Sequence, residues 1–161
     1  MRTVRGDCVT ANDRPSEQEI LHDAESFCRD EGLRLTAGRR MVLELLALSP
    51  TALKAYDILE QLKQPGEKSM PPTVYRALDF WIEHGFVHRI ESLNAYFACG
   101  HPLHNHGCQL LVCQHCNKAL EVCNHGLHGH FAETARDNGY EFRKAVLEIH
   151  GICPSCQGSA E

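Results

Sequence analysis

Two C-x-x-C pairs, Cys113 with Cys116 and Cys153 with Cys156, constrain this chain more than anything else in it. Each spacing lets a tight turn present two thiolates to one tetrahedral ion, and two such pairs close a four-thiolate site. The 36 residues between the pairs exceed the span of a compact zinc ribbon. A strand, a helix and a return strand in that interval would carry the second turn back beside the first.

A redox pair, an iron–sulfur cluster or two disulfides compete for the same residues. Redox pairs usually come singly and beside a βαβ unit, which this pattern lacks. The nine cysteines are an odd number, so complete intrachain pairing is impossible. In a reducing compartment, paired cysteines are more often metal ligands than disulfides. The reading carried forward is structural Zn2+, in a closed site that serves folding and leaves no position open for catalysis. Cys28 lies on an apolar helix face and is expected in the core. Cys8 is expected as a free thiol in a leader, and spacing assigns nothing to Cys108 or Cys123.

Eleven histidines accompany these cysteines, ten of them between His84 and His150, which suggests two halves with different tasks. Hydrophobic residues make up 43% of the chain, enough for a packed core. No apolar run approaches the roughly 20 residues of a membrane span. Met1 to Pro15 lacks the apolar stretch of a secretory signal, so a soluble cytoplasmic protein is expected. A net charge of −5 argues against indiscriminate nucleic-acid binding. Residues to Ile90 carry 12 basic and 14 acidic side chains, the remainder 4 and 7. Any DNA contact must therefore come from locally arranged cations. H-E-x-x-H, G-x-S-x-G, a P-loop and the deaminase order of H-x-E with P-C-x-x-C are all absent, so an enzyme is not expected.

Ser16 and Glu19 form a capping box ahead of SEQEILHDAESFCRD, whose apolar residues recur at helical spacing up to Gly32. Thr36 can cap a second helix, AGRRMVLELLALS, stopped by Pro50, with Met41, Val42, Leu45, Leu46 and Leu48 as its core face. Residues 54–63 give a third helix. Pro71-Pro72 opens a fourth, TVYRALDFWIEH, ended by Gly85. The period then changes: FVHRI and AYFAC read as the strands of a hairpin. Three helices, a further helix and a hairpin make a winged-helix order, with the fourth helix as reader and the hairpin as wing. After a histidine-rich loop, CQLLVC and KALEV read as strands flanking the first cysteine turn. A helix capped by Asn124 should run to Asn138, and YEFRKAVLEIHG should be the last strand.

His88 on the first wing strand, Cys99 at the end of the second, His104 and His106 in the loop, and Glu121 beyond the first cysteine pair could form a second ligand set. Such a site would span a hinge and couple occupancy to domain geometry. A thiolate among the donors favours zinc over iron(II) or manganese. Taken singly, each residue has a plainer reading, as a packed or solvated side chain.

The stretch PPTVYRALDFWIEHGFVHRIESLNAYFAC, with RLTAGRRMVLELL before it and the C-x-x-C pairs after it, resembles the ferric uptake regulator family, in particular its zinc uptake branch. The likeness spans roughly residues 16–156. It implies an α+β chain: an N-terminal winged-helix DNA-binding domain and a C-terminal α/β dimerisation domain with a four-cysteine zinc site. The corresponding division is a leader at 1–15, the winged helix at 16–92, wing end and hinge at 93–107, and the dimerisation and zinc-binding domain at 108–161. The resemblance implies a homodimer that, loaded with zinc, binds inverted-repeat operators in double-stranded DNA and represses zinc-uptake genes. Siblings answer to iron, manganese or peroxide, and a zinc storage or carrier protein is the reading from another class. Regulatory ligands are implied at His88, Cys99, His106 and Glu121, with His104 as substitute for His106. That makes two Zn2+ per subunit, with room for a third among His125, His128 and His130. Arg76 is implied as a base contact, Tyr75 as its support, and Thr73 and Tyr56 as further DNA contacts. The chain departs from the family in reading R-L-T-A-G-R where relatives often have R-L-T-P-Q-R.

Overall fold

The computed structural model describes residues 14–63, 71–102, 108–123, 125–143 and 145–158. The leader before Arg14, His104, His106 and Asn124 lie outside the described residues, as do the side chains of Cys108, Cys123, His125 and His128.

Four helices and a small sheet make the first lobe. Helix α1 (Glu17–Asp30) starts at Ser16 in the expected capping box. Helix α2 (Ala37–Leu48) starts at Thr36, whose side chain accepts from the Arg39 amide. A short strand β1 (Leu53–Lys54) leads into α3 (Ala55–Leu62), and α4 (Pro71–Glu83) follows. Helix α4 ends on a left-handed Gly85 (φ 78°). There the Phe86 amide reaches back to the Trp81 carbonyl and the Gly85 amide to that of Ile82. The same two residues stack edge-on, rings 5.2 Å apart, which is the hydrophobic contact that accompanies this helix stop.

Strands β2 (Val87–Ile90) and β3 (Ala95–Ala98) form the wing hairpin around a 3-10 turn at Glu91–Leu93. Strand β1 pairs with β3 as a third member. At two residues it is too short for periodicity to reveal. The core of this lobe runs from Ile20 and Leu21 through Val42, Leu43 and Leu46 to Leu78, Trp81 and Phe86.

Leu48, expected in that core, is 61% exposed, whereas Leu43 and Ala47 are buried. Positions 42, 43, 46 and 47 form one stripe of i, i+4 pairs, and Leu48 falls off its edge.

The second lobe is a sheet ordered β5-β4-β6, built from β4 (Cys108–Cys113), β5 (Ala119–Cys123) and β6 (Val146–Gly151). Strand β4 runs antiparallel to β5 and parallel to β6. Helix α5 (His125–Asp137) connects β5 to β6, and α6 (Pro154–Gln157) ends the described chain. The last strand begins at Val146, later than its sequence suggests, because Val146 pairs with Cys108, the first residue of β4. A second, smaller core joins the lobes: Ile90 and Phe97 of the wing pack with Leu110, Val112 and Ala119 of the second sheet. Among the described residues, no helix is long and apolar enough to cross a membrane.

Candidate metal centres

The four paired cysteines converge at one end of the second sheet, where β4 and β6 run in parallel and Cys113 pairs with Gly151. The first pair sits in the β4–β5 turn. That turn is closed by the Asn117 amide on the Cys113 carbonyl (3.0 Å) and by Asn117 in the left-handed region (φ 57°). The second pair sits at the start of α6, with Pro154 in its first turn. All four sulfurs lie within 4.8 Å of one another. Cys116 Sγ is 3.7 Å from Cys153 Sγ, against an edge of about 3.8 Å for a tetrahedron with Zn–S bonds of about 2.3 Å. The cluster therefore fits a tetrahedral zinc ion. Backbone amides, chiefly that of Cys153 and then that of Cys116, pull the Cys113 thiol down to about 6. Hydrogen bonding to the neighbouring sulfurs, Cys153 first, pushes Cys156 up to about 12. One thiolate forms readily, and the last needs a cation to hold it.

A second donor set lies where the lobes meet. His88 faces Phe97 across the hairpin, and Cys99 continues β3 with its amide on the Phe86 carbonyl (2.9 Å). Directly opposed and i+2 residues share one face of a sheet, so the hairpin presents the imidazole and the thiol together. Glu121 arrives from β5. His88 is 5% and Cys99 2% exposed, and the Glu121 side chain is 6% exposed. Glu121 Oε1 is 3.4 Å from His88 Nε2 and 3.3 Å from Cys99 Sγ, and the three donors all lie within 4.8 Å.

Backbone amides support both charged donors. The Gly100 amide donates to Glu121 Oε2 (2.8 Å), and the His101 amide donates to Cys99 Sγ (3.4 Å). No side-chain motif announces these donors, and sequence reasoning missed them. Sequence reasoning also missed Arg14. Its guanidinium donates to the carbonyls of Ser49, Ala47 and Leu46 at the end of α2. It lies 4.5 Å over the Phe97 ring. Burial lowers its pKa, and the nearby Glu121 charge works the other way. A Cβ on Gly100 would meet Pro15 at 3.2 Å and Glu121 at 3.7 Å, so the segment before α1 packs against this junction.

The expected DNA contacts all fall on the surface of the first lobe. Thr73 and Arg76 are exposed on α4, Tyr75 beside them is 47% exposed, and Tyr56 on α3 is 69% exposed. The opposite face of α4 buries Val74, Ala77, Leu78 and Trp81. Trp81 Nε1 donates to the Arg39 carbonyl (2.8 Å), pinning α4 to α2. Cys28 is buried in the core, as its helix face suggested. His130 is exposed on α5.

A winged helix joined to a sheet lobe that bears a four-cysteine zinc-type cluster, with further donors shared across the joint, defines a class of two-lobed metal-binding protein. The model of the Ferric uptake regulator family matches residues 30–150. The chain belongs to that family. It is 38% identical over 147 residues to the zinc uptake regulation protein of Escherichia coli (strain K12), covering 89% of this chain and 85% of that one. Among solved structures, a zinc uptake regulator complexed with zinc and DNA superposes with a TM-score of 0.83 at 38% identity, covering 90% of this chain and 97% of that one. Holo XcZur superposes at 0.77 with 38% identity, covering 87% of this chain and 98% of that one. Apo XcZur gives 0.53 with 36% identity, covering 88% and 98%.

Proposed function

We propose that this chain is a zinc-responsive transcription regulator that works in the cytoplasm as a homodimer. Loaded with zinc, it binds inverted-repeat operators and represses zinc-uptake genes. One observation carries the reading: His88 and Cys99 of the wing and Glu121 of the second lobe bring their donor atoms within 4.8 Å of one another across the joint. An ion held there bonds to both lobes at once.

The donor chemistry suits zinc. Nitrogen, sulfur and oxygen donors with one thiolate and one carboxylate balance a divalent charge. The fourth ligand is assigned to His106, with His104 as its substitute, in the loop between Cys99 and Cys113. Cys113, Cys116, Cys153 and Cys156 hold a separate structural Zn2+. A zinc ion bound there would supply a positive centre to hold these donors together. The remaining work belongs to the chain. The Cys99 thiol donates to Glu121 Oε1 (3.3 Å), and a metal ion held by both would take the place of that proton. The Gly100 and His101 amides then stabilise the two anionic donors. With the joint fixed, the exposed face of α4 is held at one angle to the second sheet. The better superposition on holo XcZur, and on a zinc uptake regulator complexed with zinc and DNA, than on apo XcZur supports this arrangement as the metal-bound one. The ion shifts the equilibrium only by its preference for that arrangement.

Arg76, Tyr75, Thr73 and Tyr56 are assigned to DNA. An exposed Arg near the start of a reading helix suits bidentate contact to guanine in the major groove. The homodimer is supported by apolar surface on the second lobe: Leu111, Val146, Ile149 and Ile152 are exposed there.

The test is operator binding against buffered free zinc for wild type and Cys99→Ser, with four-cysteine zinc occupancy followed in parallel. Wild type should bind DNA over a narrow zinc range, and the variant should need far more zinc. Equal binding by a dimer whose joint is empty and whose cysteine cluster is full would refute the proposal.

A further inference from the structure

Glu121 of β5 and Glu148 of β6 occupy one row of the second sheet, each paired with Leu110 of β4 between them. Leu110 is buried in the cluster with Ile90 and Phe97 of the wing, so this row faces the hairpin. The two carboxylates take the hairpin at opposite ends. Glu121 accepts from the Gly100 amide at its foot (2.8 Å), beside His88 and Cys99. Glu148 accepts from the Glu91 amide (2.7 Å) and the Ser92 amide (3.4 Å) at its tip. Those amides open a 3-10 turn, where N–H groups have no partner within the turn.

The Glu148 side chain is only 16% exposed, with His150 Nε2 at 3.4 Å. Burial by itself would raise its pKa. Hydrogen bonds from the Ser92 side chain and from the Glu91 and Ser92 amides, with the His150 charge, outweigh burial and hold it below the ordinary glutamate value. Among the described residues, Glu148 belongs to neither donor cluster.

We propose that Glu148 is a positioning residue for the metal site at the joint. It anchors the wing tip so that His88 and Cys99 reach Glu121 already placed. The proposal rests on the reading of His88, Cys99 and Glu121 as metal ligands. Without the anchor, the hairpin must be ordered when the ion binds, and that ordering cost subtracts from affinity. Groups that hold ligands from outside the coordination sphere typically change metal affinity by about 10- to 100-fold when removed.

The experiment titrates Co2+ and Zn2+ into the dimer with its cysteine cluster already filled by zinc. Wild type, Glu148→Gln and Glu148→Ala are compared. The readouts are the thiolate-to-cobalt absorption of the second equivalent and hydrogen exchange at the Glu91 amide before metal is added. Glu148→Gln keeps the shape and one acceptor oxygen and should bind the second equivalent several-fold more weakly. Glu148→Ala should be weaker by about tenfold or more, with faster exchange at Glu91, full cysteine-cluster zinc and a preserved thiolate band. Wild-type affinity in Glu148→Ala overturns the proposal, as does wild-type affinity in Glu148→Gln should the alanine variant not fold. Parallel loss of the cysteine-cluster zinc also overturns it, because that marks general destabilisation. If wild type takes up no second equivalent, the assignment of the joint as a metal site fails instead.

Discussion

A Cβ placed on Gly38 would lie 2.9 Å from Thr73 Cγ2, so a larger residue at the start of α2 requires the Thr73 side chain at the start of α4 to shift. Gly38→Ala gains up to about 1 kcal/mol of helix propensity, yet it must displace Thr73 at the start of α4, among the proposed DNA contacts. We expect unchanged or slightly higher thermal stability, with a several-fold loss of zinc-saturated operator affinity. Adding Thr73→Ser deletes the clashing methyl and should restore binding. Gel-shift titration of the single and double variants decides it, and equal operator affinity in Gly38→Ala and wild type contradicts the close-packing argument.

Trp81 is fully buried and joins α4 to α2 through its hydrogen bond to the Arg39 carbonyl. Trp81→Phe removes that donor and part of the ring, leaving a carbonyl without its partner. The cost of a lost buried hydrogen bond is about 1–3 kcal/mol, and lost packing adds to it. Urea denaturation of the protein in zinc buffer should show the midpoint falling accordingly. A shift below about 0.5 kcal/mol would place the pinning contact elsewhere.

Arg14 acts as a remote cap for α2, which ends in an extended Ser49 before Pro50 with no left-handed glycine to close it. Arg14→Ala should destabilise the fold by roughly 1–2 kcal/mol, through the lost carbonyl bonds and the lost stacking on Phe97. Arg14→Lys keeps the charge without the planar fork and should recover only part of that. Chemical denaturation of the three proteins in zinc buffer measures both effects. Identical midpoints would show the cap to be dispensable.

Cys116 is exposed, yet it closes the cysteine cluster. Cys116→Ser should lose the structural ion and with it the parallel register of β4 and β6. The first lobe has its own core and should retain its helices. Zinc content by mass spectrometry, with circular dichroism, reads both outcomes. A variant that keeps full zinc and a native melting curve would argue that three cysteines suffice.

The helices of the first lobe were legible because their starts and stops are local. Ser16 with Glu19, Thr36 and Gly85 act within one turn of their own position, and the stripe they bound repeats every 3.6 residues. Strand β1 was not legible, since its two residues owe their conformation to β3. Leu48 was misplaced because apolar residues surround α2, and spacing alone does not say that the stripe through 42, 43, 46 and 47 is the one that meets its neighbours.

Read alone, the residues established the two cysteine pairs, since a C-x-x-C turn brings its own two sulfurs together wherever it sits. They also established the helical order, the wing and the residue types available at the joint. Folding in three dimensions was needed to show that the two cysteine pairs converge, that His88, Cys99 and Glu121 meet, that Gly100 and His101 lend their amides, and that Arg14 and Glu148 brace the same hairpin. The hydrogen-bonded partners stand 21 to 57 residues apart where the bonds cross between elements. Contacts over such separations depend on how two sheets pack face to face, which no local spacing encodes.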